Sequence, residues 1–453
     1  MFTSINPATG AEIATHPELT DAEVETRLAA ADAAYRRWRT TRVEERVALL
    51  TRLADAYTAN ADRLAEMATL EMGKTVASAR AEVAKCVAGF RHYATHGPAM
   101  IAPRTLAVAT GAAEIHWLPL GPVLAVMPWN FPYWQVVRFL APTLLAGNVG
   151  LLKHASNVQG VAGLMVEMMT VAGAPDGLFQ NLAIPSRGVA AVIADRRVTA
   201  VTLTGSEGAG AAVAEVAGHH LKKVVLELGG SDPFVVMPSA NLDAAVAAAV
   251  TARIQNSGQS CICGKRMIVH TDIHDAFLAR FTIAMAAVTT GDPFDAATAM
   301  GPLSSSGARD TVVGQLTAAT AQGATLTGGV VLPGPGAFMS AGVLSGIPAG
   351  SPILHEEIFG PVAMVLRAAD VDEAIALAND SPFGLGSSVW TTDAAEQAAF
   401  IAGIDAGMTA INQVLASIPD APFGGVKRSG HGRELGPWGL HEFMNLKSVL
   451  RTG

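Results

Sequence analysis

Gln255-Asn256-Ser257-Gly258-Gln259-Ser260-Cys261-Ile262-Cys263-Gly264-Lys265 gathers small and polar residues around a thiol in a chain that is otherwise strongly apolar. Such a run predicts a shaped loop rather than core, and a thiol on a shaped loop is a candidate nucleophile. Cysteine more often acts as a small buried hydrophobe, so Cys261 alone decides nothing. Two distant segments add to it. Glu227 stands in Glu-Leu-Gly-Gly, whose glycines permit close backbone approach, and Asn130 stands in the stiff turn Pro128-Trp129-Asn130-Phe131-Pro132. A thiol, a carboxylate and a carboxamide donor are the three parts that acyl chemistry on an aldehyde requires.

At 453 residues the chain is too long for one hydrophobic core and predicts two or three domains. Apolar residues make up 50% and charged residues 15%, a balance that fills a large interior. The net charge of −8 argues against a nucleic-acid partner, and no basic amphipathic run suits a membrane surface. The apolar stretches 138–152 and 161–174 are interrupted by Pro142, Gly147, Asn148 and Glu167, which argues against a membrane span. Residues 1–7 lack a basic segment followed by an apolar one, so no secretory leader is read there. Three cysteines cannot make a disulfide framework, and a cytoplasmic setting is expected. Small solutes are the expected partners.

Thr20-Asp21-Ala22-Glu23 has the form of a helix cap, and apolar residues at helical spacing through Leu50, Leu53, Leu64 and Met67 predict helices over 21–97. His92 and His96 share a helix face, but no third ligand accompanies them and no metal is expected. The pattern turns strand-like over 104–118. Apolar strands at 123–127, 150–153 and 198–203 alternate with helices, which predicts a parallel sheet that receives ligands at its carboxyl edge. The alternation returns at 234–237, 266–270 and 363–366, so a second α/β unit is expected within 232–410, with the active site between the two. The ordinary Gly-x-Gly-x-x-Gly fingerprint is absent after the first strand. In its place Gly205-Ser-Glu-Gly-Ala-Gly210 follows a strand and opens a helix, where N–H groups and the helix dipole can meet a phosphate.

Four motifs, Pro128-Trp-Asn-Phe-Pro132, Leu226-Glu-Leu-Gly-Gly230, Gly258-Gln-Ser-Cys261 and Glu356-Glu-Ile-Phe-Gly-Pro361, stand in the order and spacing of the aldehyde dehydrogenase superfamily. The chain resembles that superfamily over nearly its whole length. Through Leu152-Lys-His-Ala155, Glu227-Leu-Gly-Gly-Ser-Asp-Pro233 and Ala421-Pro-Phe-Gly-Gly-Val-Lys427 it is most similar to short bacterial NAD(P)-dependent succinate-semialdehyde dehydrogenases. The resemblance implies an α/β fold with a Rossmann-like cofactor domain (1–103 and 119–228), an α/β catalytic domain (229–418) and a small oligomerisation extension (104–118 and 436–453). It also implies a homodimer or homotetramer in which the hairpin pairs with another subunit.

The same resemblance assigns roles. Cys261 attacks the aldehyde as a thiolate, Asn130 and a backbone N–H at Cys261 hold the oxyanion, and Glu227 activates water against the thioester. Trp129, Lys153, Ser156, Gly205, Ser206, Leu228, Glu357 and Phe359 fall at cofactor-binding positions. Ser156 occupies a place where NAD-preferring relatives often carry a glutamate; without that carboxylate a 2′-phosphate is tolerated beside Lys153, which favours NADP while leaving NAD open. Arg138, Trp134, Ser260 and Ser417 are substrate-tunnel candidates, with Arg138 expected to pair with a distal carboxylate. Gln255 stands where some relatives carry a second arginine. Glu434 matches a residue linked to proton transfer, but Phe139 replaces the lysine many relatives use on that route. Cys263, next but one to the nucleophile, is a candidate redox switch through a strained disulfide. A broader aldehyde dehydrogenase and a CoA-acylating enzyme remain alternatives, the second disfavoured by Glu227.

Overall fold

Thr20 accepts from the Glu23 N–H at 3.3 Å while the Glu23 carboxylate takes the Thr20 N–H at 2.7 Å, the reciprocal cap its sequence predicts. From that cap run α1 (Asp21–Trp38), α2 (Val43–Ala59), α3 (Ala61–Met72) and α4 (Val76–Met100). Leu50 and Leu53 of α2 and Leu64 of α3 are buried in the largest apolar core. This computed structural model describes residues 1–109 and 111–451. Thr110 within the expected hairpin, and Thr452 and Gly453 at the end of 436–453, lie outside the described residues. No helix among those described is long and apolar enough to cross a membrane.

The first parallel sheet holds Lys223–Glu227, Ala200–Thr204, Pro122–Met127, Val149–His154 and Phe179–Asn181 in that spatial order. Gly430–His431 adds an antiparallel edge beside Glu227. A second sheet orders Thr325–Gly328, Gly342–Ser345, Val362–Ala368, Gly264–His270, Asp232–Val236, Gly386–Trp390 and Met408–Ile411, parallel except for its first pair. Both sheets are flanked by crossover helices, because parallel neighbours cannot be joined by tight turns. The thiol loop leads into Gly264–His270 of the second sheet, whereas Asn130 and Glu227 follow or end strands of the first.

Arg104–Val108 and Gly111–Pro119 form the expected hairpin. The strand Met444–Arg451 does not wait for another subunit: it pairs with Gly111–Pro119 of its own chain, from Met444 opposite Pro119 to Arg451 opposite Ala112. The chain therefore closes one side of the hairpin itself and leaves the Arg104–Val108 edge open.

Two buried side chains fix the turn that carries Asn130. Glu82 of α4 accepts from the Tyr133 and Trp134 N–H groups at 2.8 and 2.9 Å, at the amino end of α5 (Trp134–Ala146). A carboxylate there answers unpaired helix N–H groups and the positive end of the dipole, and fully buried Lys74 balances its charge at 2.5 Å. His154 lies between the strand end and the turn: Nε2 is 2.9 Å from the Pro132 carbonyl, and Nδ1 accepts from the Ala155 N–H at 3.0 Å. Nδ1 also lies 3.3 Å from the Met127 carbonyl; acceptance from Ala155 corresponds to the neutral ring protonated on Nε2, and burial, against the pull of the two carbonyls, brings the His154 pKa down to about 4.

Because the folded protein excludes a proton that the unfolded imidazole accepts, His154 contributes stability above its ordinary pKa of about 6.5 that is lost as pH falls towards 4. The full shift corresponds to about 3 kcal/mol. Urea unfolding between pH 7 and pH 4 is expected to steepen across this window in wild type and to flatten by up to one proton in His154→Gln.

Candidate active site

The helix Leu242–Ile254 stops and the chain turns left-handed, with φ of 54° at Asn256, 58° at Ser257 and 76° at Gly258. For the two side-chain-bearing residues this costs roughly 1–2 kcal/mol each, so the surroundings must hold it. Asn256 Nδ2 donates to the Asn130 carbonyl at 2.7 Å, and Ser257 Oγ donates to the Gly301 carbonyl at 3.0 Å. A Cβ on Gly258 would lie 2.3 Å from the Gly360 backbone, so only glycine fits. Fully buried Arg253 donates to the carbonyls of Gly258, Ile358 and Gly360, drawing the Glu356–Pro361 motif against the thiol loop.

Lys265 ties the same two segments from the other side. Its ammonium donates to the Ser260 and Cys261 carbonyls, each at 2.8 Å, and meets Glu357 Oε1 at 3.0 Å. All three N–H donors of a buried lysine are thereby satisfied. Cys261 is left half-buried at the cavity wall. Burial pushes its thiol up to about 12, against the pull of Arg138 and Lys265. Burial therefore favours the thiol over the thiolate, and the thiolate expected to attack forms as that proton leaves.

Asn130 faces Cys261 across a cavity of about 240 Å³ whose lining also includes Trp129, Gly205, Ser206, Leu228, Glu357 and Phe359. The Asn130 amide is oriented on both sides, Nδ2 donating to the Gln259 carbonyl at 3.0 Å and Oδ1 accepting from Gln135 Nε2 at 3.2 Å. One Nδ2 hydrogen remains for a substrate oxygen, and no acceptor among the described residues takes the Cys261 N–H. The two together have the composition of an oxyanion hole.

Glu227 is placed differently. Its backbone ends the strand beside Leu228 and Gly229, which line the cavity, but its carboxylate turns back against Gly424 and neither oxygen has a hydrogen-bond partner. Burial, and then the neighbouring Glu434, hold the Glu227 carboxyl well above the usual range. Both influences favour the neutral acid.

On the cofactor side, Ser206 caps the helix Glu207–His219, whose first turn opens at the cavity with Thr204 and Gly205. Lys153 ends its strand buried, with no acidic partner among the described residues, and burial lowers its pKa. Ser156 is exposed nearby in sequence and adds no charge. A helix amino end plus an unpaired cation suits a phosphorylated dinucleotide. Phe359 packs edge-to-face on Trp129 with ring centroids 5.8 Å apart.

A narrower channel leads from Cys261 between α4 and α5, lined by Trp134, Arg138, Ser260 and Ser417. Arg138 is there as expected, but its guanidinium is not free. It is in close ion-pair contact with buried Glu434, reaches Thr204 Oγ1 at 3.3 Å and lies 4.5 Å over the Phe423 ring. Glu434, expected on a proton route, is thus held as the counter-ion of Arg138. Cys263 is fully buried, its sulfur 3.6 Å from the Gln255 carbonyl, and all three cysteines are free thiols. Sequence reasoning missed Lys85 in this channel, and missed Lys265 and Arg253 as the clamps of the loop.

The aldehyde dehydrogenase family matches residues 1–449. A succinate-semialdehyde dehydrogenase (NADP+) from Mycolicibacterium paratuberculosis is 52% identical over 451 residues, covering 98% of this chain and 96% of the relative. One from Mycobacterium tuberculosis is 51% identical over 450 residues, covering 98% of each. Among solved structures, the succinic semialdehyde dehydrogenase from Streptococcus pyogenes in complex with NADP+ superposes with a TM-score of 0.98 at 37% identity over 100% of both chains. The succinate-semialdehyde dehydrogenase from Burkholderia pseudomallei gives 0.97 at 33% identity, over 100% of this chain and 94% of that one.

A resting thiol predicts slow alkylation at neutral pH. With iodoacetamide and no cofactor, modification of Cys261 is expected to rise about tenfold per pH unit from 7 to 9, following the thiolate fraction. A plateau reached below pH 8 would contradict the raised pKa; Cys261→Ser identifies the signal.

Proposed function

Since the chain belongs to the aldehyde dehydrogenase family, we propose that it oxidises succinic semialdehyde to succinate with NADP, through a covalent intermediate on Cys261. The observation that carries this reading is the convergence of Cys261, Asn130 and the Glu357–Phe359 segment on one cavity beside a helix amino end that suits a dinucleotide phosphate. The succinate-semialdehyde dehydrogenases that match nearly the whole chain support the substrate and the preference for NADP.

The Cys261 thiol gives its proton to solvent at the open cavity, and the sulfur adds to the aldehyde carbon as the C=O π pair moves onto oxygen. The resulting thiohemiacetal oxygen sits against the free Asn130 Nδ2 hydrogen and the Cys261 N–H, donors typically worth about 10²–10³ in rate each. Bound NADP supplies the hydride acceptor. Gly205 and Ser206 would hold its pyrophosphate and Glu357 its nicotinamide ribose, Trp129, Leu228 and Phe359 would wall the cleft, and Lys153 would pair with a 2′-phosphate that Ser156 does not repel. Glu227 then takes a proton from the water that attacks the thioester. For that step its side chain turns from Gly424 towards the cavity, an easy motion because no hydrogen bond holds the buried acid back. Solvation on the cavity side returns its pKa towards the range of a working base.

The division into a cofactor domain (1–103 and 119–228), a catalytic domain (229–418) and an oligomerisation extension (104–118 and 436–453) belongs to the same reading, as do a cytoplasmic setting and a homodimer or homotetramer. The open Arg104–Val108 edge and exposed Leu106, Val108, Leu446 and Leu450 support assembly through the extension.

Stopped-flow measurement with succinic semialdehyde and NADP tests the assignment. Glu227→Gln is expected to give a burst of NADPH close to one equivalent and then turn over at least about 10²-fold more slowly than wild type, consistent with loss of a general base. Cys261→Ala is expected to give neither burst nor turnover; activity in that variant would overturn the covalent route.

A further inference from the structure

Lys265, fully buried in the Gly264–His270 strand that follows the thiol loop, is a charge that none of the assigned roles uses. Its ammonium donates to the Ser260 carbonyl at 2.8 Å, and the Cys263 N–H reaches the same oxygen at 3.2 Å. Two donors thus hold the Ser260 oxygen on the buried side of the loop. Lys265 stands behind the active-site cavity, outside its lining, whereas Cys261 and Asn130 belong to that lining.

The Ser260 carbonyl and the Cys261 N–H belong to one peptide unit. A trans peptide is planar and its N–H points away from its C=O, so a carbonyl drawn to Lys265 directs the N–H to the opposite side. No acceptor among the described residues takes that N–H. The reverse orientation would set the negative end of the peptide dipole where the oxyanion forms, and would oppose the reaction. The ammonium also polarises the peptide it touches, which strengthens the N–H as a donor. A second hydrogen bond, to the Cys261 carbonyl at 2.8 Å, fixes the next peptide, and Glu357 Oε1 at 3.0 Å offsets the buried charge.

We propose that Lys265 is the positioning residue of the oxyanion hole: by holding the Ser260 carbonyl inward it aims the Cys261 N–H at the aldehyde oxygen. Its catalytic consequence rests on the covalent route read above. Asn130 supplies the other donor from the opposite wall and is oriented by its own partners, so the two halves of the hole are set independently.

Two measurements test this. In wild type with isotope-labelled cysteine nitrogen, the Cys261 amide is expected to exchange with solvent at least about 10²-fold faster than those of Cys86, inside a helix, and Cys263, which bonds Ser260. Equal protection of the three overturns the orientation. In single turnovers of succinic semialdehyde with saturating NADP, Lys265→Met is expected to form NADPH about 10²-fold more slowly than wild type, the typical worth of one donor. Alkylation of Cys261 by iodoacetamide develops no oxyanion and is expected to lose at least about tenfold less than that. Lys265→Gln, which keeps an N–H for the Ser260 carbonyl, should recover part of the rate. A methionine variant that turns over as wild type does, or that loses both reactions by the same factor, overturns the assignment. A wild type that forms no NADPH overturns the covalent reading and the catalytic role with it, whereas the amide exchange reads the orientation alone.

Discussion

Three consecutive left-handed residues, Asn256, Ser257 and Gly258, are the constraint on which the site depends. They reverse the chain sharply enough to put Cys261 at the seam between the two sheets. The strain is offset by contacts from both sides: the Asn130 backbone receives Asn256, the Gly360 backbone occupies the space a Gly258 side chain would need, and Arg253 and Lys265 bridge what remains. Any relaxation of this turn would move the thiol, the amide that faces it and the Glu357–Phe359 wall together. Strain of this kind persists only where the surroundings over-determine it, which is what these contacts do.

Several buried charges around the seam are paired one to one, and others, such as Arg253, are answered by backbone carbonyls. Lys74 answers Glu82, Lys265 answers Glu357, and Arg138 answers Glu434. Burying an unpaired ion costs several kcal/mol, so the groups without partners are informative. Glu227 and Cys261 avoid the cost because burial favours their neutral forms. Lys153, on the cofactor side, has no acidic partner among the described residues, and only burial acts on it.

Much of this was legible in the sequence because the signals were local. The cap at Thr20, the alternation of strands and helices, and the glycine-rich turn at 205–210 each depend on neighbours a few residues away. Cys261, Asn130 and Glu227 carried recognisable motifs. Lys85 was not legible: it sits in a scaffold helix with the spacing of an ordinary solvated face, and only the fold brings it to Ser417, far along the chain. The pairing of Arg138 with Glu434 was not legible for the same reason, since a sequence shows two separate charged residues and not that one neutralises the other. The C-terminal strand was grouped with the hairpin in one extension, but nothing in its sequence says whether the hairpin it meets belongs to its own chain.

The central claim is that the sulfur of Cys261 carries the acyl group while the water-activating carboxylate stands apart from it. Mass spectrometry of the Glu227→Gln protein, mixed with succinic semialdehyde and NADP and quenched in acid, reads that state directly. The account predicts a succinyl thioester on the peptide containing Cys261. NADPH formation with that peptide unmodified, or with the acyl group on Cys263, would contradict it.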